Sequence, residues 1–259
     1  MSPIPPELPA IGVGAGLAWR VLGPPLDRVA HHLSGFVDYA ADNIGAVFQA
    51  ASDKLPAELE DGAVNVRAAV KIIDEAAFAE TDVVVDYLGG VMASSRLDAG
   101  DGDQGVSWSA LIGRLSSNQL RLHYLLYSGL REIAQREDLM LDTRMHEVYL
   151  FAPFSSLFEA APELESADPS DVFGEAFLGL KRELLLGDQF GWGNPDYLAP
   201  VSPDVPESGV IFTPTFEGVR LFMWGHGRGG ADEVAFSSDA ELPSTLDLPS
   251  ANVVRIRTT

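Results

Sequence analysis

The chain of 259 residues contains no cysteine, which removes disulfides, thiolate metal sites and cysteine nucleophiles together. Lysine is almost as scarce. It stands only at Lys54, Lys71 and Lys181, so lysine-based catalysis has few candidates, and no Glu-x-Lys dipeptide of the restriction-nuclease kind surrounds any of them. Basic residues number 17 against 38 acidic ones, a formal net charge of -21. A field of that sign repels nucleic acid and anionic membrane surfaces. No dense basic patch offsets it: between Glu159 and Glu207 only Lys181 and Arg182 are basic.

The familiar catalytic signatures are missing as well. His31, His32, His123, His146 and His226 never take the helical i, i+4 spacing of a zinc hydrolase, and two adjacent histidines on a helix diverge by about 100°. There is no Gly-x-Ser-x-Gly elbow and no dinucleotide-binding glycine pattern after a strand. Paired carboxylates such as Asp74-Glu75, Glu80-Asp82 and Glu163-Glu165 are abundant, and that abundance makes them undiagnostic. His146 and Glu147 form the most enzyme-like pair by residue type, yet neighbours in a strand face opposite sides. We therefore expect no catalytic, cofactor-binding or metal-binding residues.

Long hydrophobic runs are lacking too. The apolar stretch from Leu8 to Ala18 falls short of the roughly 20 residues that span a bilayer, and no basic region precedes it as in a signal peptide. The expectation is a soluble, cytoplasmic protein. Insertion of Leu8 to Leu22 into a membrane interface is the alternative.

What is present is helical periodicity. Leu26, Val29, Leu33, Val37, Ile44, Val47, Phe48, Ala51 and Leu55 lie on one helical face, weakened at Gly35 and Gly45. After a polar connection, Val66, Ala69, Val70, Ile73 and Ala77 predict a second helix. Thr81 and Asp82 open a third, with Val84, Leu88, Val91, Met92 and Ser95 inward; Gly89-Gly90 within it implies close approach of another backbone. Leu97 to Gly105 reads as an acidic loop. Asp98, Asp101 and Asp103 invite a calcium reading, but the closing carboxylate position falls at Ile112. Ser107 is expected to cap a short helix. Ser116 with Gln119 forms a capping box for the next, with Leu122, Leu126, Leu130 and Ile133 inward. Arg114, Arg121, Arg131 and Arg136 on these helices read as a solvated face, since Glu132 and Glu137 interrupt them.

Beyond Asp138 the pattern mixes. His146 to Phe154 suits a strand, and Ser155 and Ser156 suit the cap of a short helix. Asp168-Pro169 is expected to start a helix that ends at Gly187. A loop from Asp188 to Ser208, a strand at Val210 to Phe212, and a helix opened by Thr213-Pro214 follow. Gly225 to Gly230 reads as a C-cap and not as a phosphate cradle. Asn252 to Thr258 alternates as an edge strand does.

Three segments, LAWRVLGPPLDRVAHHL, VKIIDEAAFAETDVVVDYLGGVMASS and VSWSALIGRLSSNQLRLHYLL, resemble in their order the abortive-infection alpha family of bacterial proteins. TPTFEGVRLFMW resembles the closing helix of many members. The resemblance implies a role in defence against phage, as an effector or a sensor, and carries no catalytic residue with it.

The expected architecture is mainly α: a helical domain over 1–138, a smaller mixed α/β, winged-helix-like domain over 139–230, and a tail over 231–259. The expected function is a non-enzymatic phage-defence protein acting through a protein partner or as a homo-oligomer, self-associating through its first helix. The alternatives are a membrane-active effector, a hydrolase or nuclease built on Asp98 to Asp103, and a regulator using Asp168 to Gly187 as recognition helix.

Overall fold

A computed structural model describes residues 20–21, 40–56, 63–97, 103–137, 139, 145–166, 168, 171–203, 205–231 and 234–256. The chain is mainly helical, with one four-stranded antiparallel sheet in its C-terminal part. It divides into two compact units: residues 1–114 with 223–230 and 241–246, and residues 115–222 with 231–240 and 247–259.

The first unit is built on helices α1 (Ala41–Lys54), α2 (Val66–Ala76), α3 (Asp82–Leu97) and α4 (Gln104–Ile112). Helix α3 is central, because Asp86 to Ser95 is buried on every side, whereas an amphipathic helix would bury one stripe. Its glycines make this possible. A Cβ on Gly89 would lie 2.6 Å from the Ala50 Cβ of α1, and one on Gly90 would lie 1.7 Å from the Gly225 carbonyl oxygen. Close backbone approach is thus what Gly89-Gly90 provides. Ile44, Val47, Phe48 and Ala51 of α1 are buried within this unit. The described part of the first helical face is therefore occupied by the chain's own packing. Asn65 caps α2 by accepting from the Arg67 and Ala68 amides at 2.9 and 3.4 Å. Helix α4 starts at Gln104 with Asp103 as N-cap. Ser107 thus sits inside the helix, and its expected capping role is corrected.

The second unit comprises α5 (Ser117–Glu137), β1 (Tyr149–Pro153), α6 (Phe154–Ala160), α7 (Val172–Arg182), β2 (Leu186–Gly193), α8 (Pro195–Leu198), β3 (Gly209–Pro214), α9 (Phe216–Gly225, counted with this unit up to Phe222), α10 (Val234–Ser237) and β4 (Val254–Ile256). The Ser116–Gln119 capping box forms as the spacing predicts, each backbone amide donating to the other residue's side chain at 2.9 and 3.2 Å. Leu122, Leu126, Leu130 and Ile133 are fully buried. The sheet order is β2-β3-β1-β4, and Phe151 lies opposite both Ile211 and Val254. One face of β2 sends Phe190 and Trp192 against Phe173 and Phe177 of α7, with ring centroids 5.5 Å (Phe177–Phe190) to 6.4 Å (Phe173–Trp192) apart. On the other face Phe151 and Ile211 pack with Leu198 and Val205.

Pro153, not Ser155 or Ser156, is the N-cap of α6, and four further expectations change in this unit. Strand β2 and helix α8 occupy much of the stretch expected as a loop. The three glycines and two polar residues of β2 hide a strand whose order comes from the β3 ladder and the aromatic layer. Helix α7 has Asp171, not Asp168, as N-cap, and Pro169 lies outside the described residues. It ends at Arg182, ahead of Gly187. Pro214 closes β3, and Thr215 caps α9, its Oγ1 accepting from the Gly218 amide at 3.0 Å.

Candidate functional site

Two buried polar centres stand out, one in each unit. The first joins Lys54, the last residue of α1, to Asp86, one turn into α3. Both are buried, and the Lys54 Nζ lies 2.7 Å from an Asp86 carboxylate oxygen. The ammonium also donates to the Asp86 and Gly225 carbonyl oxygens at 2.7 Å each, so its three protons have three acceptors. Asp86 accepts in turn from the Thr245 amide at 2.7 Å, the Thr245 hydroxyl at 2.8 Å and the Ser244 hydroxyl at 3.4 Å. Burial pushes the Lys54 pKa below the ordinary lysine value, against the pull of Asp86 in the other direction. A buried charge is tolerated only when paired and hydrogen-bonded, and here every proton and most lone pairs are spent on tying four chain segments together.

The second centre is built on a phenol and an imidazole bonded to backbone groups. Tyr127 of α5 donates its hydroxyl to the Leu185 carbonyl and accepts from the Thr215 amide at 3.0 Å. His123, one turn earlier, stacks on Tyr127 with centroids 4.5 Å apart and donates from Nε2 to the Gly218 carbonyl at 3.1 Å. Gly218 is required there, because a Cβ would meet the Tyr127 hydroxyl at 1.9 Å. Burial raises the Tyr127 pKa to about 12.

This centre accounts for an unusual residue. Leu184 has φ 60°, in the left-handed region where glycine is at home. It occupies the C′ position of a Schellman cap on α7: the Leu185 amide bonds the Leu180 carbonyl at 2.9 Å, and the Leu184 amide bonds that of Lys181 at 3.0 Å. The left-handed turn aims the Leu184 and Leu185 carbonyls at Thr215 Oγ1 (2.8 Å for the Leu184 bond) and Tyr127. The side chain pays for this geometry with exposure, at 67%. At the end of α9 the same motif uses the expected residue. Gly227 has φ 73°, with the Arg228 amide bonded to the Met223 carbonyl at 2.9 Å and the Gly227 amide to that of Trp224 at 3.1 Å. The run from Gly225 to Gly230 is therefore a C-cap, as its position after a helix implies.

The other residues singled out in the sequence fall apart in space. His146 and Glu147 lie in a 3-10 turn, Met145–Glu147, ahead of β1 and not within it, exposed and 3.8 Å apart. Asp103 pairs with Arg67 at the surface; Asp98 and Asp101 lie outside the described residues, as do His31 and His32. Arg121 pairs with Glu163, and Arg131 donates to the Ser238 and Ala240 carbonyls. A cleft of about 580 Å³ with mixed polar and apolar walls opens between the starts of α5 and α7, beside Ser116, Gln119, Asp171, Val172, Glu175 and Ala176. Among the described residues no group of three histidines or carboxylates is placed to hold a metal ion, and no helix is long and apolar enough to cross a membrane. Leu8 to Leu22 lies outside the described residues apart from Arg20 and Val21. No protein-family model, curated protein or solved structure matches the chain.

Proposed function

We propose that this is a non-enzymatic, cytoplasmic phage-defence protein that acts through protein–protein contacts and forms a homo-oligomer. The defence role rests on the sequence resemblance over the segments from Leu17 to Tyr127. The contact mechanism rests on one observation, the left-handed Leu184. A non-glycine residue in that conformation costs about 1 kcal/mol, and glycine at the same position would keep every backbone hydrogen bond. Leucine instead presents an apolar side chain to solvent. Phe216, 43% exposed, begins the helix capped by Thr215, whose hydroxyl binds the Leu184 carbonyl. Exposed apolar side chains on two segments tied together by the Thr215–Leu184 bond suit a contact surface, and strain retained at an exposed position points to a use.

The test is sedimentation of the wild-type chain and Leu184→Gly at micromolar concentration, with phage plating on cells expressing each. The expected outcome is an oligomer for the wild type, a shift toward monomer for Leu184→Gly, and weaker protection in the second strain. A wild-type monomer with no co-purifying partner would overturn the reading.

A further inference from the structure

We propose that Asp86 and Lys54 form a docking centre for a hydroxyl-bearing peptide segment, and that residues 241–246 are its own-chain occupant, exchangeable with the same segment of a second copy. The proposal deepens the self-association reading above and rests on it for its biological use.

Three observations carry it. The strap belongs to the first unit, while the residues on either side of it, 231–240 and 247–259, belong to the second. Residues 241–246 contain no helix or strand and none of them is fully buried, so detaching them breaks no ladder and opens little of the core. And the grip is concentrated on one buried carboxylate. Asp86 takes the backbone amide and the hydroxyl of Thr245 together with the Ser244 hydroxyl, a pattern that reads one backbone amide and two neighbouring hydroxyls. Charge-assisted bonds of this kind are stronger than neutral ones. Opening the strap admits water to a carboxylate that is otherwise fully buried, and its hydration offsets part of the lost bonds. The contacts available to an incoming strap from a second copy are the same as those in the chain itself, which is the condition for segment exchange.

The test uses the full chain with residues 241–246 replaced by a six-residue Gly/Ala segment, and a synthetic peptide of residues 239–249. The peptide is expected to bind this chain and to bind the intact chain far more weakly; a Thr245→Val peptide is expected to bind roughly tenfold more weakly, the loss of one hydrogen bond to a charged group. Absence of peptide binding by the replaced chain with its helical circular dichroism intact, or equal binding by the intact chain, would overturn the proposal. Should the replaced chain fail to fold, Leu246→Cys supplies the only thiol for labelling, and adding Thr245→Val is expected to speed labelling roughly tenfold without altering the helix signal; an unchanged rate overturns the proposal. Sedimentation separates the two readings. Oligomers that persist with the strap replaced defeat strap exchange and leave self-association standing, whereas a monomeric wild type defeats both.

Discussion

The two units solve the same problem, holding distant segments together through buried polar groups, with opposite electrostatics. In the first unit a charged pair does it, and four segments converge on Lys54 and Asp86. In the second, a phenol, an imidazole and a threonine do it with hydrogen bonds to backbone. A charged centre gains strength from the low dielectric around it and becomes a liability when one partner is lost; a centre of hydrogen bonds to backbone then leaves only dipoles unpaired, at a smaller cost. The two helix caps repeat the contrast, Gly227 adopting its left-handed turn without strain and Leu184 adopting it at a cost.

The largest expected effect breaks the charged centre. Asp86→Ala leaves a buried ammonium without its counter-ion and should cost about 3–5 kcal/mol, measured by urea unfolding. Lys54→Met combined with Asp86→Leu should recover much of that loss. If the double variant is as unstable as the single one, the centre owes its contribution to the strap bonds and not to the charge pair.

Alkaline titration should separate the two centres by sign. Folded Tyr127 holds its proton to about 12, while the unfolded side chain loses it near 10.0. Its contribution is therefore complete below pH 10 and is lost as the pH rises toward 12, amounting to about 2–3 kcal/mol. Tyr127→Phe should remove that slope. Lys54 runs the other way: the folded group loses its proton below 10.5, so within the window beneath 10.5 the unfolded state binds more protons and stability rises with pH. Below the window the penalty is fully present. Hydrogen exchange resolved by segment would report the opposed trends in helices α3 and α5.

Gly90→Ala sharpens the comparison from the packing side. Its Cβ would overlap the Gly225 carbonyl, the same carbonyl that accepts from Lys54, and a cost of about 1–3 kcal/mol is expected from overpacking. The smallest effect is a gain. Leu184→Gly should raise the stability of the second unit by up to about 1 kcal/mol by relieving the left-handed strain, read as a higher thermal midpoint. A loss of stability would mean that the exposed side chain contributes to the chain's own fold.

Local signals in the sequence were legible where the physics is local. The Ser116–Gln119 box, the buried face of α5 and the backbone approach at Gly89-Gly90 depend on neighbours three or four positions apart or on the missing Cβ itself, and the structure contains all three. The edge-strand reading of the last residues also holds, with Val254–Ile256 pairing to β1. Cap assignments slipped by a few residues at Ser107, Asp168 and Thr213, since several Ser, Thr and Asp residues compete at each helix start and tertiary packing selects among them.

The polar centres were invisible. Asp86 is one carboxylate among 38 acidic residues, and its partners Lys54 and Thr245 stand 32 and 159 positions away. Leu184 carries no mark of its left-handed turn, because leucine is a poor candidate for it. By itself the sequence determined a mainly helical chain of strongly negative charge, without thiol chemistry, and the placement of most of its helices, because propensity, periodicity and capping act over a few residues. Only the tertiary structure decided which of many equivalent charges are buried together, which segment crosses Asp86, and that Leu186–Gly193 is a strand, because burial, ladder pairing and charge pairing exist only once distant segments meet.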